Sequence, residues 1–443
     1  MPGTDTIAAI ATAPGAAALA VLRVSGPQAV QVVKKACGRE RDFEARRATL
    51  VKVRDAQGRV LDECVVTVFA APHSFTGEDV AELCCHGGML VTRRVLERLL
   101  ECGACPAEPG EFTRRAFENG RMDLTQAEAV MDVISAGSDL ALRAAQNQLQ
   151  GAIGERVQQA ADKLIDIAAH VEAYIDFPEE DIAPDTAAEL LRGLDDIAGQ
   201  LRHLLATADE GRILREGVRT AIIGPPNVGK SSILNMLLGY DRAIVSPTAG
   251  TTRDTIEESV AVGGLRLRLI DTAGLHESAD DIERAGMERS RRAQAEADLI
   301  LEVYDASQPR MQAAPAAPAV KAITLLNKCD LPEHADWRGV EGLRISCATG
   351  QGRAELEQAI ENLFLHDSGE RDSLASINTR HRYALQQALD AIARARQSME
   401  AAESPEFTDV DLREALDALG SITGRIDTED ILSRVFSTFC LGK

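Results

Sequence analysis

Between residues 218 and 238 the chain runs from an apolar stretch through a glycine-bounded loop into a second apolar stretch, and no other segment restricts the fold as much. Val218-Arg219-Thr220-Ala221-Ile222-Ile223 reads as a buried strand, and Ser232-Ile233-Leu234-Asn235-Met236-Leu237-Leu238 reads as a helix. Between them Gly224-Pro225-Pro226-Asn227-Val228-Gly229-Lys230-Ser231 is a G-x-x-x-x-G-K-S phosphate loop. Its glycines let the backbone curl so that N–H groups point at a β-phosphate, and the dipole of the following helix favours the anion. Lys230 offers a point charge to the β/γ oxygens, and the Ser231 hydroxyl offers a ligand to Mg²⁺.

The partners of such a loop follow in order. Gly250-Thr251-Thr252-Arg253-Asp254 is a hydroxyl-bearing segment able to complete a Mg²⁺ shell. The strand Leu265 to Ile270 ends in Asp271-Thr272-Ala273-Gly274, where the carboxylate suits the Mg²⁺ shell and the glycine N–H a γ-phosphate. Ala322 to Leu326 is a strand leading into Asn327-Lys328-Cys329-Asp330. The Asp330 carboxylate accepts from N1–H and N2–H₂ of guanine but would face the bare N1 of adenine. Ser346-Cys347-Ala348, after the strand Leu343 to Ile345, fits the loop whose backbone N–H meets guanine O6. Five ordered elements specify a GTPase.

One position departs from the common mechanism. Where many GTPases carry a water-orienting Gln after D-x-x-G, this chain has Leu275, which neither donates nor accepts. The downstream carboxylates Glu277, Asp280, Asp281 and Glu283 are the candidates to handle the water, and charge alone does not choose among them.

The 443 residues predict about three domains. Nine cysteines form no repeating framework, and the lone Cys102-x-x-Cys105 has no second pair, which points to reduced thiols and a cytoplasmic setting. Ile7 to Leu22 is Ala-rich but follows Asp5 and is broken by Pro14-Gly15, so a strand–turn–strand is expected there, not a signal peptide. No apolar run reaches the roughly 20 residues that a membrane helix needs. A net charge of −21, with 18 acidic against 8 basic residues in 121–215, argues against unaided binding of nucleic acid.

Along the chain, residues 1–120 show short strands (Ile7–Ile10, Ala18–Val24, Thr49–Arg54, Cys64–Ala70, Val80–Cys85) and two helical stretches, Gln28–Cys37 and Met89–Cys102. These predict an N-terminal α+β domain. Residues 121–215 predict an all-α domain with helices over Ala141–Tyr174 and Thr186–Thr207, separated by an acidic loop, Asp176 to Asp181. An α/β P-loop G domain occupies 216–368. Helix returns in 369–443, over Ser376–Ala402 and Asp409–Leu419, so the multidomain chain reads as one helical domain into which the G domain is inserted.

Beyond the G domain, several segments resemble the MnmE (TrmE) family of tRNA-modification GTPases. They include Asp5-Thr6-Ile7-Ala8-Ala9-Ile10-Ala11-Thr12, Arg23-Val24-Ser25-Gly26-Pro27 and Phe75-Thr76-Gly77-Glu78-Asp79-Val80. More specific are Pro109-Gly110-Glu111-Phe112-Thr113-Arg114-Arg115-Ala116-Phe117, Asn119-Gly120-Arg121-Met122-Asp123-Leu124-Thr125-Gln126-Ala127-Glu128-Ala129 and Phe439-Cys440-Leu441-Gly442-Lys443. The resemblance implies an N-terminal domain that binds folate and makes a homodimer. It also implies a K⁺-dependent G domain, and a FAD-containing partner, MnmG, that carries most of the tRNA contact. Together the two proteins would modify C5 of the wobble uridine of certain tRNAs, using a one-carbon unit from 5-formyl- or methylene-tetrahydrofolate.

By the same resemblance, Asn227 and Thr251 with the carbonyls of Ser246 and Thr248 are implied K⁺ ligands, and Ser231 and Thr252 are implied Mg²⁺ ligands. A K⁺ there would neutralise charge that an arginine finger otherwise meets. The nucleotide contacts extend over Asn227, Val228, Gly229, Lys230, Ser231 and Ser232, and over Ser246, Pro247, Thr248, Ala249, Gly250, Thr251 and Thr252. Glu283 matches the family's water-positioning glutamate. Arg23, Glu82, Arg121 and Lys443 match the folate site, with cations for the glutamyl carboxylate and a carboxylate for the pterin donors. Cys440 is open between a buried structural thiol and a place in the folate pocket; Gly442 and Lys443 do not complete a prenylation box. The family's Pro-Gly-x-Gly-Gly turn appears here as Pro14-Gly15-Ala16-Ala17-Ala18, and Arg121 stands where relatives carry Lys. A competing reading makes the chain a nucleotide-gated scaffold, such as a ribosome-assembly factor, without one-carbon chemistry.

Overall fold

The computed structural model describes residues 5–176, 184–239, 258–270, 296–310, 320–365, 377–401, 403–425, 435, 436, 439 and 442. It divides into two compact units, residues 1–131 with 416–443, and residues 132–415. The sequence reading places its borders elsewhere, at 120, 215 and 368, where composition changes; compactness instead follows packing.

The first unit holds a six-stranded sheet in the order β3-β4-β5-β2-β1-β6. Its strands are β1 (Ile7–Ile10), β2 (Leu19–Ser25), β3 (Thr49–Arg54), β4 (Val60–Phe69), β5 (Val80–His86) and β6 (Cys105–Pro106). All neighbours are antiparallel except β1 and β6. Along β4, Cys64, Val66 and Val68 are buried while Glu63 and Val65 face out, the period-2 pattern of a sheet with one covered face. Two helices supply the cover, α1 (Ala29–Cys37) and α2 (Met89–Glu101). Ala29, Val32, Val33 and Ala36 of α1 lie on one helical stripe and join a core with Leu22, Val24, Val66, Leu83 and Leu99. Gly38 ends α1 at φ +60°, where its N–H reaches back to Lys34 and Lys35.

The sequence pattern predicts two helices in this region, and the structure has a third, α3 (Glu111–Glu118). Its buried face includes Arg115 beside Phe112, Thr113 and Ala116, so the apolar periodicity is interrupted by a charge. That charge is neutralised on site. The Arg115 side chain, 4% exposed, pairs with Asp5 at 2.9 Å, Glu111 at 2.7 Å and Glu78 at 3.4 Å. Burial works against the charged guanidinium, but the Glu111 hydrogen bond and the Glu78 charge raise its pKa above the usual arginine value. Ser25 extends the network, donating to Glu78 at 2.7 Å and sharing a 2.7 Å hydrogen bond with Thr76.

Helix α4 (Leu124–Ser135) follows. Phe436 and Phe439, near the end of the chain, are buried against Leu124 and Ala127, their rings 5.4 Å apart. A Cβ on Gly110 would lie 2.7 Å from the Phe436 carbonyl, and one on Gly442 would lie 2.5 Å from that of Ile10. Phe436, Phe439 and Gly442 are thus seated against α4, the start of α3 and the end of β1. The turn carrying Ala16-Ala17-Ala18 needs no glycine at those positions. Ala17 N–H donates to Gly87 at 2.9 Å, and Gly87 is the residue with no room for a Cβ, which would meet the Ala17 carbonyl at 2.5 Å.

In the second unit, α5 (Asp139–Leu149), α6 (Ala152–Asp176), α7 (Pro184–Ala206) and α8 (Ala208–Glu216) precede a sheet. The single helix expected over Ala141–Tyr174 is two, because the chain turns at Gly151 with φ +96°, a conformation that L side chains rarely adopt. The sheet has the order β12-β11-β10-β7-β9-β8. It is built from β7 (Val218–Ile223), β8 (Glu258–Val262), β9 (Leu265–Leu269), β10 (Leu299–Asp305), β11 (Lys321–Asn327) and β12 (Leu343–Arg344). Every pairing is parallel except the β8–β9 hairpin. Central strands run almost wholly apolar, as Leu299, Ile300, Leu301 and Val303 do, because both faces are covered. Helices α9 (Lys230–Leu238) and α10 (Arg353–Phe364) contribute to that cover.

After the sheet come α11 (Thr379–Glu400) and α12 (Pro405–Thr423). Asn378 caps α11, accepting from the His381 N–H at 2.8 Å. Helix α11 packs on α7, where Leu194, Ile197 and Leu201 are buried as are Leu385, Ala388 and Ile392. Arg396 reaches Asp195 at 2.9 Å and Arg413 reaches Glu172 at 3.1 Å, so helices from both sides of the sheet share one bundle. No helix of the described residues is long and apolar enough to cross a membrane.

Candidate nucleotide site

Strand β7 lies between β10 and β9, and the loop at its carboxyl end opens where the connections diverge to either side, the usual ligand crevice of a parallel sheet. Gly224 leaves β7 at φ +148°, and a Cβ there would stand 2.2 Å from the Val303 carbonyl on β10. Gly229 precedes α9 at φ +101°, and a Cβ there would meet the Asn327 amide nitrogen at 2.3 Å. Asn227, between them, is held at φ +62° although it is not glycine. Gly229, at the N-cap of α9, has no side chain to cap it, so the first N–H groups of the helix can meet an anion. Lys230 folds over the loop and donates to the carbonyls of Gly224 and Pro225 at 3.0 and 2.8 Å. Burial pushes its amine below the ordinary lysine value.

The turn after β11 is attached to this loop. Asn327 donates its side-chain amide to the Val228 carbonyl at 2.9 Å, and Lys328 donates to the Asn227 carbonyl at 3.2 Å. The Asn327 Oδ1 is buried without a hydrogen-bond partner among the described residues. Lys328 also meets Asp305 at 2.6 Å. Asp330 accepts from the Ser346 hydroxyl at 2.6 Å, and Ser346 itself is fully buried, accepting a bond from Thr349 N–H at 3.3 Å. The structure therefore ties the loop and helix start of Asn227, Val228, Gly229, Lys230, Ser231 and Ser232 to Asn327 and Lys328, and ties Asp330 to Ser346, which Cys347 and Ala348 follow. Glycines that a Cβ would clash with, a helix start whose N-cap is a glycine and a buried oxygen unpartnered among the described residues fit a bound nucleotide.

Ser246, Pro247, Thr248, Ala249, Gly250, Thr251 and Thr252 lie outside the described residues, as do Asp271, Thr272, Ala273, Gly274, Leu275, Glu277, Asp280, Asp281 and Glu283. So do Cys440 and Lys443. Sequence reasoning passed over Asp305, which has no motif of its own. A carboxylate closing an apolar strand beside β7 was the available signal, the same one that marked Asp271.

In the first unit, Arg23 and Glu82 are direct cross-strand partners on β2 and β5, with Arg23 Nη2 2.8 Å from the carboxylate. The guanidinium carbon lies 5.1 Å from the centre of the Phe75 ring and 5.7 Å from that of Phe112, while Nη1 is buried with no hydrogen-bond partner among the described residues. Arg121 is exposed and borders the same 75–77 turn, since a Cβ on Gly77 would lie 3.2 Å from its Cγ. Neither phenylalanine was named as a site residue from sequence, because an aromatic within a core pattern carries no mark of what it touches.

Comparison with known proteins identifies the family. A family model described as "GTP-binding protein TrmE N-terminus" matches residues 6–121, and one described as "MnmE helical domain" matches residues 124–440. A protein of Akkermansia muciniphila named tRNA modification GTPase MnmE is 60% identical over 445 residues, covering 99% of both chains. Proteins of the same name from Geobacter metallireducens and Opitutus terrae are 45% and 42% identical, covering 99% and 100% of each chain. The solved G domain of the T. maritima FeoB iron transporter is 25% identical over 33% of this chain and 97% of its own, at a TM-score of 0.23, too low to bear on the argument. The chain belongs to the MnmE family of tRNA modification GTPases.

Proposed function

We propose that this protein is a K⁺-activated GTPase that works with a FAD-containing partner, MnmG, to modify C5 of the wobble uridine of certain tRNAs with a folate one-carbon unit. It would act as a homodimer in the cytoplasm, with residues 216–368 as a G domain inserted into a helical domain; the packing of α7 on α11 supports that insertion. The observation that carries the GTPase reading is the pair of bonds from consecutive residues, Asn327 to Val228 and Lys328 to Asn227. They tie the turn read as the guanine reader to the loop read as the phosphate binder.

In this reading the N–H groups of 227–232 and Lys230 hold the phosphates, Ser231 and Thr252 hold Mg²⁺, and Asp330 selects guanine. Asn227, Thr251 and the carbonyls of Ser246 and Thr248 hold K⁺, whose charge, when bound, stabilises the phosphates in the transition state. Glu283 orients the attacking water that Leu275 cannot. Arg23, whose Nη1 is unpartnered among the described residues, Glu82, Arg121 and Lys443 hold folate, which when bound supplies the one-carbon unit. Glu283→Ala is expected to cut turnover by about 10²–10⁴ with GTP affinity nearly unchanged. Mass spectrometry of wobble uridine from cells lacking this chain tests the tRNA role; unmodified levels equal to wild type would sink it.

A further inference from the structure

Asp305 ends β10 in direct register with Asn327 on β11. Its carboxylate is 10% exposed and fully engaged: Oδ2 lies 2.6 Å from Lys328 Nζ, and Oδ1 accepts from the Ser307 N–H at 2.9 Å and hydroxyl at 2.6 Å. Burial alone would raise the carboxyl, yet the bonds from Lys328 and Ser307 hold it below the usual carboxylate range. Lys328 passes the connection on to the Asn227 carbonyl at 3.2 Å. Both Lys328 and Asn227 sit at positive φ, +64° and +62°, without being glycine. Such conformations persist where the surroundings over-determine them. Among the described residues, a cavity and a charged contact both border these two positions. Asn227, Asp305 and Lys328 border a cavity of about 300 Å³, shared with Pro225, Pro226 and Trp337, rather than close-packed protein. The charged contact is what fixes the amine.

We infer that Asp305 is a positioning residue of the nucleotide site, holding the Lys328 ammonium against the Asn227 carbonyl and so fixing the phosphate loop against the turn that carries Asp330. The inference rests on the reading of this cleft as a GTP site with Asn227 at a K⁺. Asp305 touches no reacting atom in this role. Its removal frees the lysine amine, loosens Asn227 from its strained conformation, and weakens nucleotide and cation binding together without acting on the chemistry itself.

The test uses the full-length chain with Asp305→Ala and Asp305→Asn. Expected for Asp305→Ala is a rise of about tenfold or more in the dissociation constant of fluorescent GDP, as for loss of a charge-assisted bond. The half-saturating K⁺ concentration for GTP turnover should rise with it. At saturating GTP and K⁺, kcat should stay within about threefold, and the melting midpoint of the nucleotide-free protein within about 3 °C. Asp305→Asn, which keeps an acceptor for Ser307 but drops the charge, should fall between. Adding Asp305→Ala to Lys328→Met should cost little beyond Lys328→Met alone. GDP affinity within about twofold of wild type in both Asp305 variants, or additive effects in the double variant, would overturn the inference. If Asp305→Ala does not fold, the isosteric Asp305→Asn decides by the same two binding readouts. A wild-type chain that binds GDP but ignores K⁺ removes Asn227 from cation binding and leaves GDP affinity to judge Asp305; one that binds no guanine nucleotide overturns the site and the inference together.

Discussion

The side-chain amide of Asn327 lies 2.9 Å from the Val228 carbonyl, joining loops 99 residues apart. The same amide nitrogen stands 2.3 Å from where a Cβ on Gly229 would be. The second glycine of the phosphate loop is therefore required twice, by its φ of +101° and by the amide that ties the base reader to it.

Gly229→Ala should accordingly separate the two loops. The strain and the lost bond are expected to cost about 1–3 kcal/mol of stability and to remove most GTP binding. Thermal melting and a fluorescent-nucleotide titration measure both. Wild-type affinity in this variant would show that the contact is incidental.

Asp330→Asn should move preference from GTP toward xanthosine triphosphate, because an amide donates to the second carbonyl of that base. The bond that Ser346 makes to Asp330 survives, since the amide oxygen still accepts, so the effect should be on the base alone. Loss of GTP binding energy of about 1.5–3 kcal/mol is expected. Unchanged GTP affinity would refute the assignment.

Potassium should accelerate hydrolysis far more than sodium at matched ionic strength, since K⁺ suits the longer oxygen distances of a carbonyl cage. Asn227→Ala should lose most of that response. Equal turnover rates in KCl and NaCl would remove the cation site.

Arg115→Met should destabilise the N-terminal unit by about 2–4 kcal/mol, removing the buried cation that the partly buried Glu78 and Glu111 share. Denaturant unfolding of the full chain, followed by a probe in that unit, measures the change. A loss below about 1 kcal/mol would mean that the carboxylates find water or protons at little cost.

Deleting Cys440–Lys443 should abolish wobble-uridine modification and weaken folate binding, while K⁺-stimulated GTP turnover stays within about threefold. Phe436 and Phe439 keep their seat against Leu124 and Ala127 in the truncated chain, so the unit should still fold. Normal tRNA modification by the truncated protein in a deletion strain would discard Lys443 as a folate ligand.

The sequence alone determined what local pattern can carry. The phosphate loop, its flanking strand and helix and the N-K-x-D turn are each contiguous, and strands such as β1 and β3 have the bounds that their apolar runs predict. Tertiary structure decided what depends on partners distant in the chain. Helix α3 escaped the periodicity because its inward Arg115 is neutralised by Asp5, 110 residues away, and by Glu78, 37 residues away. The break at Gly151 was hidden in a stretch whose residues otherwise favour helix, since one positive φ leaves no trace in an apolar pattern. Asp305 gains its meaning only where parallel pairing sets it beside Asn327 and within reach of Lys328. A single carboxylate is chemically ambiguous in sequence; the sheet register supplies the cation that defines it.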